Sequence, residues 1–147
     1  MPIYQTQCTS FKVECFNGVH AFGTSVVRAA TTPDTFYIAL YTSSASLGAD
    51  TTVYTTTGEI TGTGYVAGGV ALTNVAPVAS GTTACVSFDT VTISPAAFTV
   101  RGALIYNATQ GNKAVAVLDF GSDITPTTTF TITFPTNDAS NAVIRAA

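Results

Sequence analysis

Charge is the scarcest commodity in this sequence. Only 9% of its 147 residues are Asp, Glu, Lys or Arg, against about 25% in an average soluble domain. The five Lys and Arg are scattered and the net charge is −3. No basic stripe exists to follow a phosphate backbone, so no nucleic-acid partner is expected. No run of eighteen apolar residues occurs, so neither a spanning helix nor a membrane partner is expected. The opening MPIYQTQCTSF has no charged n-region and no apolar h-region, so no secretory signal is expected. Histidine occurs once, as His20, and cysteine three times, as Cys8, Cys15 and Cys85. An odd cysteine count without an export signal points to reduced thiols made in a cytoplasm, small and at least half-buried. A zinc site would need four ligands, and no metal or cofactor is expected.

What remains is apolar and hydroxyl-bearing. Hydrophobic residues reach 46%, and Thr, Ser and Asn supply most of the polarity. A surface with so few charges does little to oppose association, which suits a protein that works inside an assembly. The length suits one domain over 1–147, able to bury roughly 68–70% of its unfolded surface without staples.

The chain changes texture along its length. In SFKVECFNGVHAF, Phe11, Cys15, Val19 and Phe22 recur at helical spacing. With Thr9 or Ser10 as cap, this predicts a helix over 10–20, within a helical region 10–22 that follows an N-terminal arm, 1–9. From residue 35, β-branched and aromatic runs alternate with Gly, Pro, Asn and Asp, predicting a β-sandwich over 35–147. Strands are expected at 35–41, 65–75 (one or two pieces), 82–93 with a bend near Asp89, 98–106, 113–120, 130–134 and 142–145. An edge strand is possible at 52–57. The loop 107–112 should close a hairpin. No helical pattern separates these strands, so the expected class is all-β with one short N-terminal helix, an antiparallel two-sheet sandwich of jelly-roll type.

Several motifs invite chemistry and fail on context. Gly62, Gly64 and Ala67 in ITGTGYVAGG fit the dinucleotide fingerprint. That loop must open a helix whose N–H groups hold the pyrophosphate, and GGVALTNV is a poor helix start, so turn chemistry is the better reading. Asp119-Phe120-Gly121 spells a kinase metal triplet with no other kinase part beside it. Cys15 and His20 stand five apart on the expected helix and diverge, which speaks against a nucleophile–base pair, with Asp34 as orienter, there. Asp119, Asp123 and Asp138 form no dense calcium-binding run and suit turns better. Arg101 interrupts an apolar strand, either to pair with an acid such as Asp119 across the hairpin or to anchor an interface.

FKVECFNGVHAF, DTFYIALYTSSASLGADTTVYTTTGEITGTGYVAGGVALTNV, RGALIYN, NKAVAVLDFGSD, FTITFP and AVIRAA together resemble small virion proteins of tailed bacteriophages, the capsid decoration or cement proteins. The resemblance runs from Phe11 to Ala147, and ALYTSSASLGADTTVYTTTGE and RGALIYN are its most specific blocks. It departs at 24–33, which stands between two blocks that nearly adjoin in the relatives. The resemblance implies a jelly-roll-like fold, no enzymatic activity, a place on the outer capsid surface, and the major capsid protein and further copies of the chain (a dimer or trimer) as partners. Tyr4, Phe11, Phe16, Tyr54 and Arg101 are the expected contact residues. Phe11 and Phe16 have a second reading, as a cover for one end of the sandwich. The rival functions are a host-attachment or carbohydrate-binding module, with Tyr106 beside Asn107 as its sugar platform, and a neck or tail connector.

Overall fold

The structure is a computed structural model that describes residues 3, 6–20, 22, 24 and 32–147. The chain clusters into two compact units. One comprises Asp34–Asn74 and Asp89–Thr133; the other comprises Met1–Pro33, Val75–Phe88 and Phe134–Ala147.

The first unit is built on β1 (Phe36–Tyr41), β2 (Val70–Ala71), β6 (Val100–Asn107) and β7 (Lys113–Ile124), which form a four-stranded sheet in the order β2-β1-β6-β7. β1 and β6 run antiparallel in unbroken register from Phe36 opposite Asn107 to Tyr41 opposite Gly102. Both strands read as continuous apolar runs because both sheet faces are covered: Ile38, Ala39, Leu40 and Tyr41 are all buried, whereas a half-solvated strand would alternate. On one face Ala39, Tyr41, Leu104 and Tyr106 form a cluster with Tyr37, Leu47 and Tyr54 against it. Ile38, Leu40, Ala103 and Ile105, the alternate residues, are equally buried. β6 and β7 close the expected hairpin, turning through Gly111 and Asn112 at φ 68° and 58°. A two-stranded ribbon of β5 (Val91–Ile93) and β8 (Phe130–Ile132) completes the unit. Phe130 meets Phe98 at 5.5 Å and Phe120 of β7 at 6.1 Å between ring centroids. Burying each such ring stabilises by about 1.5–3 kcal/mol.

The second unit holds α1 (Thr9–Phe16) and a three-stranded sheet, β3-β4-β9, of Asn74–Ser80, Thr83–Phe88 and Ile144–Ala146. β4 and β9 pair antiparallel, with Cys85 opposite Arg145. Phe88 packs on Phe134 at 5.6 Å. α1 is tied to the unit by Lys12, whose Nζ donates to the Thr82 carbonyl at 2.6 Å.

The chain is therefore antiparallel β with one short helix among its described residues. Its strands fall into three hydrogen-bonded sheets rather than the two of a simple sandwich. The run 82–93 does break at Asp89, but its halves, β4 and β5, join different sheets. The edge strand expected at 52–57 reduces to a single bridge between Val53 and Lys113. The helix stops at Phe16 instead of continuing to His20, because Gly18 turns out at φ 73°. Its N-cap is Cys8, with no side-chain bond, rather than Thr9 or Ser10. Lys12, not the Phe11–Cys15–Val19–Phe22 stripe, is its buried residue. The thiols are unbridged; Cys85 is buried, but Cys8 and Cys15 are exposed where burial was expected.

Candidate functional site

Three features of the described surface bear on function. The first is the long segment 42–69 between β1 and β2, which lies over the Tyr41–Tyr106 face of the four-stranded sheet. Its middle returns to β1: Thr42 N–H donates to the Gly58 carbonyl at 2.9 Å, and Ile60 N–H to the Leu40 carbonyl at 3.0 Å. That places Glu59 opposite Tyr41. The Glu59 carboxylate accepts from Tyr54 Oη at 2.6 Å, Tyr65 Oη at 2.5 Å and Gly68 N–H at 2.9 Å. Two more phenols fasten the segment to the sheet, Tyr41 Oη donating to the Thr55 carbonyl at 2.6 Å and Tyr106 Oη to the Gly68 carbonyl at 2.5 Å. Burial, then the hydrogen bond to Glu59, raises the Tyr54 and Tyr65 phenols above the usual tyrosine range. Burial, then the charge of Glu59, pushes Tyr41 up to about 12, and burial raises Tyr106 likewise.

The glycines of ITGTGYVAGG belong to this segment. Gly64 and Gly69 have φ of 87° and 90°, and a Cβ on Gly69 would stand 2.0 Å from the Ile38 carbonyl oxygen. They are there for turn geometry and close backbone approach, and no helix follows them.

The second feature is an open cleft of about 260 Å³ between this segment and the β6–β7 edge, lined by Ser43, Leu47, Arg101, Val117 and Asp119 among others. Arg101 Nε lies 3.2 Å from Asp119 Oδ1, and Nη1 lies 3.9 Å from Asp123 Oδ1. The Gly121 N–H and then Arg101 hold the Asp119 carboxyl below its usual range. All three side chains are substantially solvated, so the pairing contributes little to stability.

The third feature belongs to the helical unit. Phe11, His20 and Phe22 gather at ring separations of 4.9 Å (Phe11–His20) and 5.7 Å (Phe11–Phe22). His20 Nε2 lies 3.1 Å from Glu14 Oε1, which folds the chain after the helix back along it. Phe22 is 79% exposed, Val19 49% and Phe16 39%. Phe22 stays open although its ring lies edge-on against Phe11.

These geometries sort the expected contact residues. Arg101 is partly exposed and pairs with Asp119, as cross-strand reasoning predicted. Phe16 is exposed at the end of α1, and Phe11 is half-buried within the aromatic group. Tyr54 is not a projecting anchor: it is half-buried, stacked on Tyr106 and bonded to Glu59. Tyr4 lies outside the described residues. The sugar platform fails, because Tyr106 is buried and Asn107 is engaged by Asp34, Thr109 and Gln110. Among the described residues no three His, Cys, Asp or Glu gather to hold a metal ion. Asp138 binds the backbone N–H groups of Ser140 and Asn141, a turn role. Sequence reasoning missed Glu59, Tyr65 and Lys12, whose partners come from chain-distant folding or from a segment without periodicity.

No protein-family model matches the chain, and neither a curated protein nor a solved structure matches it.

Proposed function

We propose that this chain is a structural virion protein that decorates the bacteriophage capsid from outside. It stabilises the shell by bridging neighbouring major capsid protein subunits, and it does so without enzymatic chemistry. It is made in the host cytoplasm and works as a homo-oligomer. The observation that carries the reading is the exposure of three large apolar side chains of the helical unit, Phe16, Val19 and Phe22, on a chain whose charged fraction is only 9%. Such a surface loses little by being desolvated against another protein and gains from each apolar side chain covered. A bridging protein needs contact area, about 1,600 Å² in total for an interface of standard size, and repeated copies on a symmetric shell strengthen one another through linked sites.

The test is reconstitution. Purified protein is mixed with heads that lack it and cosedimented, beside a Phe16→Ser, Phe22→Ser double variant. The reading expects saturable binding by the parent chain and at least tenfold weaker binding by the variant. A parent chain that stays in the supernatant at every concentration contradicts it.

A further inference from the structure

We propose that the outer edge of β7, from Val115 to Asp119, is the surface through which two copies of this chain pair, strand to strand and antiparallel, with the two-fold axis at Val117. Only the association of copies rests on the virion reading; where they meet follows from the edge itself.

β7 is the longest of the described strands, 12 residues from Lys113 to Ile124, and it stands at the end of its sheet. An open edge is a template for further pairing, which proteins blunt with short strands, proline or charge. The other described edges are blunted in this way. β2 has two residues, and β5, β8 and β9 have three each. β3 carries Pro77, which has no N–H to give. Residues 115–118 of β7 read VAVL instead, and Val115 and Val117 are exposed.

The edge is free over a short window with fixed ends. At its start the stretch 52–54 already occupies it: Ala114 N–H donates to the Thr52 carbonyl and Tyr54 N–H to the Asn112 carbonyl. At its end Asp119 Oδ1 accepts the Gly121 N–H at 2.8 Å, Gly121 turns at φ 85°, and the register with β6 slips. What lies between, 115–119, is centred on Val117. Backbone groups alternate sides along a strand. The Phe36 and Leu40 carbonyls accept from Leu72 and Ile60 on the side of β1 away from β6, so Ala39 and Tyr41 face β6. Their partners Leu104 and Gly102 face back, which leaves Ala103 and Ile105 facing β7, and Leu118 and Ala116 facing β6 in return. The N–H and C=O of Val117 therefore point outward. Against a copy centred on the same residue, each Val117 N–H meets the other's C=O, and two bonds close across the axis.

The charges select a second copy and its direction. β7 begins with Lys113 and carries Asp119 and Asp123 in its other half. Antiparallel pairing about Val117 sets each Lys113 opposite the other copy's Gly121, with Asp119 and Asp123 as diagonal neighbours within reach of a long side chain. A parallel copy in register would set Lys113 against Lys113 and each Asp against its like. Such exposed pairs fix direction more than strength. Strength comes from apolar cover: the two Val117 side chains stand opposite each other, and Val53, exposed where it bridges Lys113, lies at the same edge.

Sedimentation equilibrium of the full chain tests this. The parent chain is a dimer at high concentration and dissociates reversibly on dilution. Val117→Pro removes an N–H that β6 does not use, and weakens the dimer at least tenfold with an unchanged circular dichroism spectrum. Val117→Lys sets a charge on the same edge to the same effect, and serves if the proline variant does not fold. Phe22→Ser leaves the dimer as it was. A chain that is monomeric at every concentration overturns the proposal, and so does an oligomer that both Val117 variants leave intact. Neither result decides shell binding, which cosedimentation with heads reads separately.

Discussion

Tyr106 stacks on Tyr54, ring centroids 4.8 Å apart and planes 22° from parallel. Its other neighbour is Tyr37, at 5.9 Å and 21°. Tyr106 is the pillar between the sheet and the segment that covers it, and its hydroxyl is spent on the Gly68 carbonyl.

Substitution at this pillar separates packing from hydrogen bonding. Tyr106→Phe keeps the ring and removes one bond, which costs about 1 kcal/mol. Tyr106→Ala empties the stack and costs about 3–5 kcal/mol. Urea unfolding followed by circular dichroism measures both, and equal losses would mean that the ring contributes nothing beyond its hydroxyl.

Alkali should unfold this protein through its phenols. A tyrosine in the unfolded chain titrates near 10, and Tyr41, Tyr54, Tyr65 and Tyr106 are all raised above that in the fold. The folded state holds these protons more tightly, so their stabilisation is complete below about pH 10. It is lost as pH climbs through the folded values, with Tyr41 at about 12. Absorbance of the phenolate, read beside circular dichroism, should show a group of tyrosines ionising only as the fold is lost.

Two glycines with similar φ should respond differently to alanine. Gly69 has φ 90° and a Cβ would meet the Ile38 carbonyl at 2.0 Å; Gly121 has φ 85° with nothing within 4 Å. Gly121→Ala therefore costs about 1–2 kcal/mol of backbone strain. Gly69→Ala costs more than that, because β1 must move to admit it. Thermal melts of the two variants check the order.

Surface residues should be silent in stability. Arg101→Ala changes unfolding free energy little, and Phe22→Ser changes it by about 0.5 kcal/mol or less. A large loss for Phe22→Ser in chemical denaturation would mean that the ring belongs to the core of its unit.

The strands were legible where one segment decided its own fate. FYIALY and RGALIYN are apolar on both faces and became the two central strands, and NATQGN between β6 and β7 carries its own turn residues. The helix was harder, because its stripe of Phe11, Cys15, Val19 and Phe22 predicted burial, and Lys12 is buried instead through a bond to Thr82, a residue 70 positions away. The Glu59 clasp was not legible at all. Nothing in TTVYTTTGEITGTGYVAGG marks which tyrosines will turn inward; that is decided by Gly58, Gly68 and Gly69 folding the chain back on itself. Arg101 and Asp119 were found because cross-strand pairing is a local rule on a hairpin.

Counting the protein on the particle tests the central claim most directly. Quantitative mass spectrometry of purified virions, normalised to the major capsid protein, should give on the order of hundreds of copies, as an element repeated with shell symmetry requires. A handful of copies confined to one vertex, or none on the particle, would contradict a shell-bridging role.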